Sequence, residues 1–107
     1  MIIQAPLPTK KDILSVIRQN QEKIKALGVK KLGLFGSFTR GEQNAESDID
    51  LLVEFEQDKK TFNNFIQLSF LLEEILQRSV ELVTAESLSP YVRPHIIEEV
   101  EDVPLSA

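Results

Sequence analysis

The segment Asp48-Ile49-Asp50-Leu51-Leu52-Val53-Glu54-Phe55 constrains the fold more than any other part of the chain. Read as a strand, it sends alternate side chains to opposite faces. Ile49, Leu51, Val53 and Phe55 then make one wholly apolar side. Asp48, Asp50 and Glu54 share the other side with Leu52. Such a strand belongs to a sheet that buries one face under helices and leaves the other open. Upstream, an apolar run at residues 32–35 reaches Gly36-Ser37, and ten residues separate Ser37 from Asp48.

This pairing has chemical content. Asp48 and Asp50 project together, roughly 6.6 Å apart along a strand. Two carboxylates on one face repel each other unless a cation sits between them. The Gly36-Ser37 turn offers backbone N–H groups and a hydroxyl to an anion. A metal beside a phosphate is what phosphoryl and nucleotidyl transfer require.

The run GSFTRGEQNAESDIDLLVEF resembles the signature of the DNA polymerase beta-type nucleotidyltransferase superfamily, and within it the minimal nucleotidyltransferases. These are small single-domain members, often the antitoxin partner of a HEPN-domain toxin. The resemblance spans about residues 32–100. It implies that Asp48 and Asp50 hold two Mg²⁺ ions. It also implies a third acidic residue flanked by apolar ones on a later strand. Val80-Glu81-Leu82 fits that pattern, with Glu where Asp is commoner. Glu81 is therefore the candidate third catalytic and metal-binding carboxylate. Gly36 is expected to let a nucleotide's phosphates approach the backbone, and Ser37 to donate its hydroxyl to the β- or γ-phosphate. Arg40, one helical turn on, is expected to clamp phosphate, with a salt bridge to Glu42 or Asp48 as the competing reading.

Composition bounds the rest. A chain of 107 residues with 42% hydrophobic and 27% charged residues suits one globular domain. Residues 1–8 read as an extended arm and 101–107 as a frayed tail. No apolar run is long enough to span a membrane. The N-terminus lacks signal-peptide features, and with no cysteine a cytoplasmic location is expected. A net charge of −5, with basic residues only in small pairs, argues against strong nucleic-acid binding and suits a basic protein partner.

The expected elements begin with Thr9 and Asp12 as a capping box, opening one helix over residues 10–27 that stops at Gly28. Strands follow at 31–35, 48–55 and 79–84. A helical turn spans 37–41, with Gly41 as its stop, and Ser47 caps the approach to the second strand. Thr61 caps a long helix to residue 77. Ser89-Pro90 opens a final helix, interrupted near Pro94. The first two strands should be antiparallel neighbours, and the third returns parallel to the second through a right-handed crossover. The fold class is thus α/β: a small mixed sheet of three or four strands, with helices mainly on one face, as in the polymerase beta-like nucleotidyltransferases.

His95, Tyr91 and the aromatics Phe62, Phe65 and Phe70 read most simply as structural. Yet the apolar arc of the long helix is too broad for a small sheet to cover. An exposed patch is therefore expected, with Phe62, Phe65 and Tyr91 as anchors for a second subunit, homo- or hetero-oligomeric. The resemblance implies transfer of a nucleoside monophosphate, AMP from ATP or its counterpart from another nucleoside triphosphate, to a tyrosine hydroxyl of a HEPN toxin. Two alternatives stand beside it: a non-catalytic antitoxin that binds the toxin, and transfer to a small-molecule or nucleotide acceptor.

Overall fold

The computed structural model describes residues 8–105. The arm expected at residues 1–8 and the end of the tail thus lie almost wholly outside the described residues. The order of elements is α1 (Lys10–Gln19), α2 (Gln21–Ala26), β1 (Val29–Phe35), α3 (Ser37–Arg40), β2 (Ile49–Phe55), α4 (Phe62–Leu76), β3 (Val80–Thr84), α5 (Arg93–Glu99) and β4 (Glu101–Val103). The four strands form one sheet in the order β3-β2-β1-β4. β1 is antiparallel to β2 and to β4, and β2 is parallel to β3. The mixed α/β architecture is the expected one.

The core lies on the apolar side of β2. Ile49, Leu51 and Val53 are almost fully buried, together with Leu32 and Leu34 of β1, Ile13 and Ile17 of α1, Ile24 of α2, and Leu68 and Leu72 of α4. Helices α1 and α4 pack against each other and close this side. Burial of each such Ile or Leu side chain contributes on the order of 1.5–3 kcal/mol. Phe35 is also buried but lies outside this cluster, on the Asp50 face of the sheet.

Four local differences from the sequence reading have physical causes. The first helix is two helices, broken at Asn20 (φ −112°, ψ 16°). The Asn20 side-chain amide donates to the Val16 carbonyl at 2.8 Å, the competition with the backbone that makes Asn a poor helix-interior residue. Thr9 and Asp12 do form a capping box at its start. Strand β1 begins at Val29, two residues early, because a bulge between Val29 and Lys31 lets Val29 pair with Phe55. The last helix does not open at Ser89-Pro90 but at Arg93; Ser89 closes only a turn, its hydroxyl accepting from the Val92 N–H at 3.3 Å, and the helix is not interrupted at Pro94. Pro94 occupies the first turn of α5, where its missing N–H has no helical partner to lose.

The fourth difference is the tail. Residues 101–103 are not frayed but form β4, with Leu32 opposite Val103 and Leu34 opposite Glu101. The free edge of β1 presents unpaired backbone groups, and burial of Val103 anchors the added strand.

Candidate active site

The strand register assembles the acidic residues. Asp50 stands opposite Phe35 on one side and opposite Glu81 on the other. The two carboxylates therefore project from adjacent strands on the open face. Asp48 lies just before β2 rather than within it, and is exposed. Asp50 is half-buried, and its pKa is pushed up to about 7. Burial is the main cause. A hydrogen bond to Glu81 follows, then the negative charges of Glu81 and Asp48. A hydrogen bond shared between the two carboxyl groups favours the neutral form of Asp50.

Gly36 fixes the approach from the other side. Its backbone (φ 83°, ψ −155°) lies in a region essentially restricted to glycine. A Cβ there would stand 2.1 Å from Asp50 Oδ2. The Gly36 backbone thus touches the carboxylate, and no larger residue fits. Ser37 opens the short helix α3, whose first turn is held by Thr39: its N–H donates to the Gly36 carbonyl at 3.1 Å and its hydroxyl at 2.6 Å. Asp50 therefore has Gly36 against its carboxylate and Glu81 beside it on β3, and Ser37 follows Gly36 in the chain.

Arg40 is placed otherwise. Its guanidinium bonds Glu42 and Glu99, and these pairs hold its pKa above the ordinary arginine value. The competing pairing with Glu42 is thus the one present here, and the Arg40 charge also acts on Asp50. Through Glu99, which also accepts from the Thr39 hydroxyl at 3.4 Å, Arg40 ties α3 to α5. Ser47 does not cap β2; its hydroxyl accepts from the Asn44 N–H at 2.9 Å within the preceding loop.

Arg78 belongs to the site's support and was missed by sequence reasoning. One of its terminal nitrogens donates to the carbonyls of Asn44, Ala45 and Ser47 at 3.1, 3.0 and 2.9 Å. Its guanidinium also lies 5.7 Å from the centre of the buried Phe38 ring. Arg78 thus pins the loop that delivers Asp48 against the helix that carries Ser37. An arginine at the end of a helix has no signal in sequence that would single it out.

The donor set suits a hard cation. Asp48, Asp50 and Glu81 supply only oxygen, the preference of Mg²⁺. Burial first, and then the neighbouring charges of Glu81 and Asp48, make the ionised form of Asp50 costly without a counter-charge, which a divalent ion would supply. Among the described residues the acidic groups are not drawn into a closed three-ligand cage. The tight pair is Asp50 with Glu81, and Asp48 acts on it through its charge.

Comparison with known proteins bears on the fold and the family. Residues 13–103 match the nucleotidyltransferase domain family. A Methanocaldococcus jannaschii protein named as a protein adenylyltransferase is 38% identical over 96 residues, covering 87% of this chain and 96% of its own length. A solved structure described as a minimal nucleotidyltransferase superposes with a TM-score of 0.67 at 32% identity, covering 82% of this chain and 93% of that one. A toxin–antitoxin crystal structure with AMP-PNP gives a TM-score of 0.62 at 26% identity, covering 81% and 74%. With a family match over most of its length and a glycine-backed acidic pair on the open sheet face, this chain belongs to the nucleotidyltransferase domain family, as a minimal, single-sheet nucleotidyltransferase.

Proposed function

We propose that this nucleotidyltransferase transfers AMP from ATP to a tyrosine hydroxyl of a partner HEPN-domain toxin, and so acts as its antitoxin. The observation that carries the reading is the contact of Gly36 with Asp50, itself paired with Glu81 across β2 and β3. It brings a backbone suited to phosphate within reach of carboxylates suited to Mg²⁺. Support for the acceptor comes from the adenylyltransferase name of the M. jannaschii relative and from the toxin–antitoxin neighbour with AMP-PNP.

In this reading the N–H groups and hydroxyl at Gly36 and Ser37 hold the β- and γ-phosphates. Asp48, Asp50 and Glu81 would hold Mg²⁺. When bound, the metal neutralises charge on the phosphates and acidifies the attacking hydroxyl. Glu81, beside Asp50 on the neighbouring strand, is the carboxylate assigned to take the hydroxyl's proton.

The test is co-incubation with the protein encoded by the adjacent gene. ATP labelled at the α-phosphate should transfer label to that protein in a Mg²⁺-dependent way, and ATP labelled at the γ-phosphate should not. Label on a tyrosine, located by peptide mass spectrometry, supports the reading. Binding of the neighbour with no label transferred would assign the chain as a non-catalytic antitoxin. Label on small acceptors alone would remove the toxin from the reaction.

A further inference from the structure

Beyond Asp50, β2 continues along the open face with Leu52 opposite Gly33 and Glu54 opposite Lys31. A cavity of about 460 Å³ opens there, with Gly33 and Leu52 at its floor and Ala85, Ile97 and Val100 around it. This volume falls in the range of small-molecule sites. Gly33 determines its shape: a Cβ there would lie 2.5 Å from Val100 Cγ2, so glycine lets the end of α5 settle onto the sheet. Charged groups line the mouth, among them Lys60 and Glu86, paired at 3.1 Å.

We propose that this trough is the acceptor subsite, and that it takes the aromatic ring of the tyrosine whose hydroxyl is modified. The proposal rests on the transfer reading above and adds where the acceptor sits. In-line displacement at phosphorus puts the attacking and leaving oxygens on opposite sides. The leaving pyrophosphate belongs with Gly36 and Ser37, past the end of β1. The attacking oxygen therefore arrives from the other side of Asp50 along β2. The trough lies on that side, with Leu52 about 6.6 Å further along the strand.

In the step, the phenolic oxygen bonds to the α-phosphorus. The bond from that phosphorus to the α,β-bridging oxygen breaks, and pyrophosphate leaves with the electron pair. The phenolic proton passes to the Glu81 carboxylate and from there to water. The apolar side chains around the floor favour an aromatic ring. The ring would rest on this apolar floor while the peptide carrying it meets the charged groups of the mouth, Lys31, Glu54, Lys60, Glu86 and Asp102.

The test uses ¹⁵N-labelled protein and two probes added separately. ATP with Mg²⁺ should shift the amides of residues 36–41 and 48–50. N-acetyl-tyrosinamide should shift those of Gly33, Leu52, Ala85, Ile97 and Val100, while N-acetyl-threoninamide should not. Ile97 is half exposed, so Ile97→Glu should fold. It should abolish the tyrosinamide shifts and raise the KM for that acceptor by about tenfold or more. Retained ATP shifts in the variant would show that its fold is intact. Trough amides that respond to ATP but not to the phenol would assign the cavity to the nucleotide and overturn the proposal. So would a phenol that shifts none of them. Failure of ATP to perturb residues 36–41 in the wild type would instead overturn the transfer reading, and the two failures are read on different amides.

Discussion

At the scale of single residues, Gly36 and Asp50 depend on each other. Gly36→Ala would force a side chain into a left-handed backbone and against the Asp50 carboxylate. The strain alone should cost more than about 1 kcal/mol. Displacement of Asp50 by about an ångström should lower transfer on the order of 100-fold. Thermal unfolding and labelled-AMP transfer, measured on the same variant, separate the two effects. Asp50 also makes the metal-free protein pH-sensitive. Its pKa rises from 3.8 to about 7 on folding, so between those values the folded state keeps a proton that the unfolded chain has released. This contribution stabilises the fold least above pH 7 and most near pH 4. In EDTA, the part of the Tm profile that falls between pH 4 and 7 should flatten in Asp50→Asn, with a higher Tm than wild type above pH 7. A wild-type profile unchanged by the substitution would show that the carboxyl pair does not form.

At the scale of elements, legibility followed how local the cause was. The faces of β2, the caps at Thr9 and Thr61, the stop at Gly28 and the parallel return of β3 all arise from spacing or from residues adjacent in sequence. The pairing of Asp50 with Glu81 could be anticipated because a right-handed crossover fixes which strand ends meet. β4 was hidden because a three-residue strand carries no periodicity; only the free edge of β1 makes it a strand. The engagement of Arg40 with Glu99 and of Arg78 with the loop before Asp48 joins residues 59 and 31–34 positions apart, and nothing local encodes either. Arg78 yields a prediction at this scale. Arg78→Ala should free the 44–48 loop and reduce transfer or Mg²⁺ affinity about 10–100-fold, as loss of a residue supporting metal ligands commonly does. Amide exchange at residues 44–48 should quicken, while exchange in β1 stays slow. Unaltered exchange in the loop would remove Arg78 from the site's support.

At the scale of the whole molecule, the question is what covers the aromatic surface. Phe62 and Phe70 are 81% and 66% exposed, and eight residues apart they share one face of α4. Tyr91 is 87% exposed, so it is not packed. Phe65, expected as an anchor, instead packs partly buried against the core. The broad apolar arc of α4 thus divides: Leu68 and Leu72 face the sheet, while Phe62 and Phe70 are left to solvent. Aromatic side chains of this exposure dominate the energetics of protein interfaces when covered. The net charge of −5 favours a basic partner, with association that weakens as salt rises. Phe62→Glu with Phe70→Glu should therefore abolish co-purification with the proposed HEPN-domain toxin. Its Tm alone should be unchanged or raised, since neither ring contributes to the core. Labelled-AMP transfer to N-acetyl-tyrosinamide should survive in that variant, because α4 lies on the face of the sheet opposite Asp50. Loss of transfer to the small acceptor together with the toxin would mean that α4 shapes the site itself. Retention of the toxin would move the interface to Tyr91 and the α5 side, next to the trough.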